Sequence, residues 1–185
     1  MDFVQELIYC TKYIPNTKFN VLSKIIPFLV EPILDLGCHI GDTFYYMKFK
    51  GYIVGIDVHS DYFSKCIERG IYQDLIELNL KNLPISRARF GCVTAFFVLE
   101  HLEKREGLIL LDKMKKLGKN NVVVVPLGHR SQESVDGNPF QKHLSSWFVK
   151  DFLDRGFQVK VCWALTIKRV LPYRLILGVR KNEED

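Results

Sequence analysis

A glycine-containing turn followed at a set distance by an acid is the most informative chemical pattern in the chain. The apolar run Ile33–Leu36 contains Asp35 and is followed by Gly37 and Gly41. Glycine lets the backbone turn tightly and lets a ligand approach main-chain N–H groups. Asp57 ends a second apolar run, where a carboxylate can accept hydrogen bonds from ribose hydroxyls. The pattern predicts a site for an adenosine-containing ligand.

The glycine spacing of this turn distinguishes between the classes of ligand that such a site could hold. The glycines are spaced G-x-x-x-G, with His39 where a G-x-G-x-G pattern has its middle glycine, whereas a dinucleotide site has G-x-G-x-x-G. No lysine followed by serine or threonine comes after the turn, which excludes a P-loop. Asp35 stands two residues before Gly37, where an acid repels a pyrophosphate and suits a ligand with a cationic amino group.

Candidate acid–base groups occur in two later segments. Glu100 and His101 follow an apolar run over residues 90–98, and His143 ends a long polar segment, residues 127–143. Within this segment, Asp136-Gly137 and Asn138-Pro139 predict turns. Long loops within a compact domain are usually functional or disordered. We expect His143 first, and His101 second, to accept a proton or to contact a substrate. Capping of a helix and attachment of the loop by hydrogen bonds are the alternatives for these residues.

The order of the predicted elements determines where these groups lie. Strands are predicted over residues 33–37, 52–57, 75–80, 90–98 and 122–125, and helical segments separate them. Two further helices are predicted before the first strand, over residues 2–14 and 20–28. A helix over 145–155, capped by Ser145 or Ser146, then leads to strands 158–166 and 173–179, which must pair antiparallel. This order predicts an α/β fold: a doubly wound, mostly parallel seven-stranded sheet with a terminal antiparallel strand pair. Ligands of such sheets bind at the carboxyl ends of the strands.

Length and composition fit a single globular domain. The 185 residues are 48% hydrophobic, and no apolar run reaches the roughly 20 residues that span a bilayer. The five cysteines are scattered without a CxxC pair, which favours a reducing cytoplasm and predicts no metal site. Part of the net charge of +5 lies in residues 113–119, which we interpret as a solvated helix face, with nucleic-acid binding as the alternative.

The segment Asp35–Gly41 resembles motif I of the class I S-adenosylmethionine-dependent methyltransferases, whose usual form is D/E-x-G-x-G-x-G. Leu99-Glu100-His101 is similar to the LEH signature after the fourth strand in the small-molecule branch of that family. The resemblance covers about residues 30–180. It implies a Rossmann-like methyltransferase domain over residues 31–185, behind an N-terminal helical cap over residues 1–30. It also implies S-adenosylmethionine as the cofactor.

The resemblance assigns roles to individual residues. Asp57 would bind the ribose hydroxyls, Asn79 would accept a hydrogen bond from the adenine amine, and Phe96 rather than Phe97 would line the cofactor pocket. His39 and Asn79 depart from the family pattern, which has glycine and commonly aspartate there. The predicted catalytic residues are His143 and His101. The predicted cofactor-binding residues are Asp35, Gly37, Gly41, Asp57, Asn79 and Phe96.

Methyl transfer is an in-line displacement at a sulfonium, so such an enzyme mainly positions an acceptor against the methyl group. We expect a small polar or glycan-like acceptor, methylated on a hydroxyl or amine, because the chain shows no strong basic stripe. An RNA or protein methyltransferase that uses residues 113–119 is one alternative. A non-catalytic binding protein that keeps the fold, as a partner in a dimer, is another. No membrane partner is expected, and a homodimer is left open.

Overall fold

The computed structural model describes residues 18–85, 90–134, 138–166 and 169–181. Seven strands form its centre: β1 Ile33–Leu36, β2 Ile53–Asp57, β3 Asp74–Glu77, β4 Phe90–Phe96, β5 Gly118–Pro126, β6 Gln158–Thr166 and β7 Arg169–Lys181. They make one sheet in the order β3-β2-β1-β4-β5-β7-β6. The predicted N-terminal helix over residues 2–14 lies outside the described residues.

The pairing of the strands confirms the predicted fold. Strands β1 to β5 are parallel to their neighbours among these five, and β7 is antiparallel to both β5 and β6. The chain moves outward from β1 to β2 and β3, then returns to place β4 on the other side of β1. This reversal makes the carboxyl end of β1 a topological switch point, where open α/β sheets bind ligands.

In the described part of the chain, five α-helices accompany the sheet: α1 Lys18–Ser23, α2 Asp42–Met47, α3 Phe63–Arg69, α4 Lys104–Leu117 and α5 Val149–Leu153. The longest, α4, buries Leu110, Leu111 and Met114 at helical spacing. Its first turn is closed by Glu103, whose N–H donates to Glu106 Oε2 at 3.3 Å. Within the described part of the chain, no helix combines the length and the apolar character that a bilayer crossing requires.

The two faces of the sheet carry separate apolar clusters, which explains why the central strands read as continuous apolar runs. On one side, Trp147 and Phe152 pack with the buried face of α4. On the other side, Phe44 of α2 packs with residues of α1 and with Phe96. All residues of β1 and β2 are buried, whereas the edge strand β3 is mostly exposed.

Several predicted boundaries were wrong, each for a local reason. The third strand ends at Glu77 instead of Leu80, because Asn79 Oδ1 accepts from Lys81 N at 3.0 Å and starts a 3-10 turn. The helix predicted over 20–28 is α1 followed by a separate 3-10 turn over Ile26–Phe28. The fifth strand begins at Gly118, since pairing with β4 and β7 extends it on both sides.

The predicted caps of the last helix were also wrong. Helix α5 begins at Val149, and the N–H of Phe148 donates to Asp151 Oδ2 at 2.8 Å. Ser145 does not cap this helix because its hydroxyl donates to Leu99 O and accepts from Trp147 Nε1, both at 3.0 Å. The side chain of Ser145, which the local pattern predicted as a helix cap, thus makes tertiary hydrogen bonds instead.

Candidate active site

The loop between β1 and α2, residues 37–41 (the first loop), turns through three residues in the left-handed region. The φ angles of Gly37, His39 and Gly41 are 72°, 49° and 75°. His39 therefore keeps the backbone conformation of the glycine that it replaces, at the steric cost that a Cβ brings there. Gly37 is also required by packing, because a Cβ on it would lie 2.4 Å from Val98 Cγ2.

Asp57, at the carboxyl end of β2, attaches the first loop to the next one. Its Oδ2 accepts from the N–H of His39 at 2.8 Å, and its Oδ1 accepts from the N–H of His59 at 3.0 Å. The side chain is buried. One carboxylate thus orients the backbone of the two loops that a ribose at this switch point would contact.

Asp35 lies in the middle of β1, beneath the first loop, and is 3% exposed. Its Oδ1 accepts from Thr94 Oγ1 at 2.7 Å, and its Oδ2 accepts from the Tyr72 hydroxyl at 2.8 Å. Burial raises the pKa of Asp35 to about 7, against the opposing effect of the two hydroxyl donors. The sequence analysis missed both donors, and no local pattern marks them.

The two remaining predicted cofactor residues lie in different surroundings. Asn79 is half-buried just beyond β3, and its side chain holds the turn described above. Phe96 is buried in the core, with its ring centroid 5.7 Å from that of Phe44. The next residue, Phe97, has a φ of 59° and is half-buried in the loop that leaves β4.

Tyr62, which the sequence analysis did not single out, covers the first loop. Its ring centroid lies 4.2 Å from that of His39 and 4.8 Å from that of His59, both edge to face. Its hydroxyl accepts from Asn138 Nδ2 at 2.7 Å. Tyr62 therefore connects the first loop with the polar segment that follows β5.

That polar segment, described over residues 127–134 and 138–148, is called the long loop below. Its two ends meet, because the N–H of Gly128 donates to Trp147 O at 2.7 Å. Trp147 is fully buried, and Lys104 Nζ lies 3.9 Å from the centroid of its ring. Asn138 forms the predicted turn with Pro139, since its Oδ1 accepts from Phe140 N at 2.9 Å. The turn predicted at Asp136-Gly137 lies outside the described residues.

The long loop brings the two predicted catalytic residues together. The N–H of Leu144 donates to Glu100 O at 2.7 Å, which attaches the long loop to the 3-10 turn Leu99–His101. The ring centroids of His101 and His143 are then 4.9 Å apart. Glu100 is buried beside them, and the loop attachment that we considered as an alternative role is made by its main chain and by the ring of His101, whose Nδ1 contacts Lys142 O.

Backbone carbonyls determine the tautomer of both rings. Nδ1 of His101 lies 3.1 Å from Lys142 O, and Nδ1 of His143 lies 2.6 Å from Arg130 O. A carbonyl oxygen only accepts, so Nδ1 carries the hydrogen in each ring and Nε2 is the basic nitrogen. Burial lowers the pKa of His101 to about 4, which makes it neutral but weakly basic near pH 7. His143 is therefore the better candidate for a proton acceptor.

Comparison with known proteins relates part of this chain to a family. Residues 33–121 match the family described as methyltransferase domain. No curated protein is significantly similar to the chain in sequence.

Solved structures resemble the fold at low sequence identity. A Listeria monocytogenes protein described as S-adenosylmethionine-dependent methyltransferase has a TM-score of 0.65 at 16% identity, covering 89% of this chain and 98% of its own. Magnesium protoporphyrin IX methyltransferase from Synechocystis PCC 6803, with bound S-adenosylhomocysteine, has a TM-score of 0.64 at 13% identity, covering 98% and 88%. TehB from Haemophilus influenzae has a TM-score of 0.69 at 11% identity, covering 97% and 67%. Residues 33–121 are thus similar to a methyltransferase domain, and the chain has the fold of solved S-adenosylmethionine-dependent methyltransferases.

Proposed function

We propose that this chain transfers the methyl group of S-adenosylmethionine to a hydroxyl or amine of a small polar or glycan-like acceptor, as the small-molecule branch of the family does. The observation that carries the proposal is the pairing of His101 with His143, 4.9 Å apart between ring centroids. The pair follows the carboxyl ends of β4 and β5, the edge at which sheets of this type bind their ligands.

The cofactor would lie across the first loop. Main-chain groups of Gly37 and Gly41 would face it, and Asp57 would accept from its ribose hydroxyls. Asp35, beneath the loop, would attract the ammonium group of the cofactor. A buried carboxyl of raised pKa ionises more readily beside such a cation. Asn79 would accept from the adenine amine. Phe96 would support the pocket from the core, and Phe97 is the more exposed of the two rings.

His143 would act as the proton acceptor of the reaction. The acceptor's oxygen or nitrogen attacks the methyl carbon, the carbon–sulfur bond breaks, and the sulfur leaves as a neutral thioether. The proton released by the acceptor goes to Nε2 of His143, which carries the lone pair because Nδ1 faces Arg130 O. The long loop would position the acceptor, and positioning is the larger part of the catalysis of such a displacement.

The location of the basic segment supports a small acceptor over RNA. Residues 113–119 end α4 and enter β5 at Gly118, so they lie at the amino-terminal edge of the sheet, opposite the histidine pair. Lys113 Nζ donates to Lys81 O at 3.1 Å and to Leu83 O at 2.8 Å, so this cation has a structural role. A substrate bound there would be remote from the cofactor edge.

A methyl-transfer assay with radiolabelled S-adenosylmethionine tests the proposal against a panel of sugars, polyols, small amines and RNA. With the true acceptor, His143→Ala should lower kcat by about 100- to 1,000-fold, because general-base catalysis contributes on that order. Calorimetry should show an unchanged cofactor affinity in this variant. The matched control is His129→Ala, an exposed histidine of the same loop whose Nδ1 contacts Ser146 Oγ.

Full turnover in His143→Ala would exclude the assigned base. Cofactor binding without turnover of any acceptor would favour the non-catalytic alternative, and preferential methylation of RNA would favour the nucleic-acid alternative. Failure to bind S-adenosylmethionine at millimolar concentration would overturn the proposal as a whole.

A further inference from the structure

Glu100, His101 and His143 form a cluster with the geometry of an incomplete metal centre. One carboxylate oxygen and one nitrogen of each ring lie within 4.8 Å of one another. The ligand atoms around a first-row ion lie about 3–3.5 Å apart, because each is about 2.1 Å from the metal. Small side-chain rotations would therefore bring these three groups around one ion.

We propose that Glu100, His101 and His143 bind a divalent transition-metal ion such as Mn²⁺, Co²⁺ or Zn²⁺. Two imidazoles and one carboxylate are a donor set that such ions prefer over Ca²⁺ or Mg²⁺. Three protein ligands leave coordination positions for water or for oxygen atoms of another molecule.

Hydrogen bonds around the cluster already hold the ligands in the required form. The Nδ1–H groups of His101 and His143 face the carbonyls of Lys142 and Arg130, so each Nε2 offers a lone pair. Metal-binding histidines almost always donate their other ring N–H to a carbonyl or carboxylate in this way.

The backbone of the cluster is also held before any ion arrives. The main-chain oxygen of Glu100 accepts from the N–H of Leu144 at 2.7 Å and from that of Ser145 at 3.2 Å. The N–H of His143 donates to Gln132 O at 2.9 Å. The two segments that supply the ligands are thus joined, and an ion would add a bond between β4 and β5 loops that already contact each other.

An ion at this place would have a direct use in methyl transfer. A hydroxyl oxygen bound to a divalent cation loses its proton more readily, so the ion would activate an acceptor hydroxyl and orient it. With the ion bound, Nε2 of His143 would be a ligand, so the ion would replace His143 as the activating group and the proton would leave to water. This consequence rests on the proposed function, whereas metal binding by the three side chains does not.

Titration of the chelator-treated full chain with Co²⁺ and Mn²⁺, followed by calorimetry and by the absorbance of Co²⁺, tests the site. We expect one ion per chain. Glu100→Gln, His101→Ala and His143→Ala should each weaken binding by at least about 10- to 100-fold, since even loss of an outer-shell partner costs that much. His129→Ala and His59→Ala are the matched controls and should bind as the unmodified chain does.

A second measurement guards against variants that fail to fold. Imidazole ¹⁵N spectra of the metal-free chain should show Nε2 unprotonated in His101 and His143, and Zn²⁺ should shift these two signals alone. The buried thiols Cys38 and Cys66, which contact each other, are the competing site. They would produce a thiolate-to-cobalt charge-transfer band that disappears in Cys66→Ser.

Three outcomes overturn the metal site: no binding at millimolar Co²⁺ or Mn²⁺, binding that His143→Ala leaves unchanged, or the thiolate band. Methylation that proceeds undiminished after removal of all metal would refute the catalytic use while leaving the proposed function intact. Stoichiometric metal binding by a chain that does not bind S-adenosylmethionine would refute the proposed function while leaving the metal site intact.

Discussion

The first loop and the long loop meet at the same edge of the sheet but are held there in different ways. The first loop is held mainly through its main chain: the N–H groups of Gly37 and Cys38 donate to Ile56 O at 2.7 and 3.0 Å, and the N–H of His39 donates to Asp57. The long loop is also held by main-chain hydrogen bonds, but its own side chains add contacts with distant segments. Asn138 reaches Tyr62, 76 positions away, and Ser145 reaches Leu99, 46 positions away.

This difference explains why the first loop could be predicted from the sequence, whereas the contacts of the long loop could not. A main chain that turns in the left-handed region against a packed neighbour accepts very few residue types, so glycines appear at a readable spacing. Many residue types can attach a loop through their side chains, so this kind of attachment produces no recognisable residue spacing in the sequence. The polar composition of the long loop was visible, while its partners were not.

The largest expected effect separates backbone strain from packing. Gly37 and Gly128 both have positive φ, at 72° and 80°, but a Cβ on Gly37 meets Val98 whereas one on Gly128 meets nothing within 4 Å. Gly37→Val should lower the free energy of unfolding by about 3–5 kcal/mol, from left-handed strain and overpacking together. Gly128→Val should cost only about 1–2 kcal/mol. Urea unfolding of both variants measures this, and equal losses would show that packing against Val98 does not constrain the first loop.

The next effect concerns the buried carboxyl beneath the first loop. Burial raises the pKa of Asp35 from 3.8 to about 7, so the folded state holds this proton more tightly than the unfolded state does. The contribution of Asp35 to the free energy of unfolding should therefore be greatest below pH 4 and should decrease by about 2–4 kcal/mol as the pH rises to 7.

Asp35→Asn should remove this decrease, because the amide cannot ionise. Asp154→Asn, a substitution at an exposed carboxylate, should keep the original pH profile. Urea unfolding at several pH values distinguishes the two. If Asp35 faces the ammonium group of S-adenosylmethionine, cofactor binding at pH 7 should also release a proton, which calorimetry in buffers of different ionisation enthalpy detects. A profile of Asp35→Asn that matches the unmodified chain contradicts the role of burial.

A smaller effect tests the carboxylate that joins the loops after β1 and β2. Asp57→Asn leaves one oxygen for the two N–H groups of His39 and His59, so stability should decrease by about 1–2 kcal/mol. If the ribose role is right, S-adenosylmethionine affinity should also decrease by about 10-fold or more, from the loss of a charge-assisted hydrogen bond. Calorimetry compares it with Asp61→Asn, whose side chain is 84% exposed. Equal affinity in both variants would remove Asp57 from the cofactor site.

The smallest effect tests the connection between the two loops. Tyr62→Phe removes the hydroxyl that accepts from Asn138 Nδ2, which should cost about 1 kcal/mol. Cleavage of the long loop by trypsin should become faster, since Arg130 and Lys142 lie within it. Tyr52→Phe is the control, because its hydroxyl contacts Asp74 at the far edge of the sheet. The same cleavage rate in both variants would show that Tyr62 does not restrain the long loop.

The fold was predictable from the sequence because the central strands are buried on both faces and are therefore mainly apolar. The apolar run ending at Val125 marked β5, and pairing of β5 with both neighbours accounts for the five residues that the prediction missed. Errors fell where a side chain made a distant contact, as Ser145 does with Leu99. Local preference cannot anticipate such contacts, because they depend on which segments the fold brings together.

The residue types of the candidate site were more predictable from the sequence than the hydrogen-bond partners of these residues. Asp35, Gly37, Gly41 and Asp57 follow from spacing along a single strand–loop–helix–strand unit. Thr94 and Tyr72, which complete the hydrogen bonding of Asp35, come from other strands and loops and carry no local mark. Asn79 was singled out for an adenine contact, and the structure adds that its side chain also ends β3.

The sequence by itself determined the doubly wound sheet, the left-handed turn after β1 and the acid that follows β2. These depend on burial and backbone conformation, which restrict residue types locally. The tertiary structure alone decided that His101 and His143, 42 positions apart, share one site with Glu100, and which nitrogen of each ring carries the proton. Those properties depend on carbonyl groups of segments that are distant in the sequence, and only folding brings them within hydrogen-bonding range.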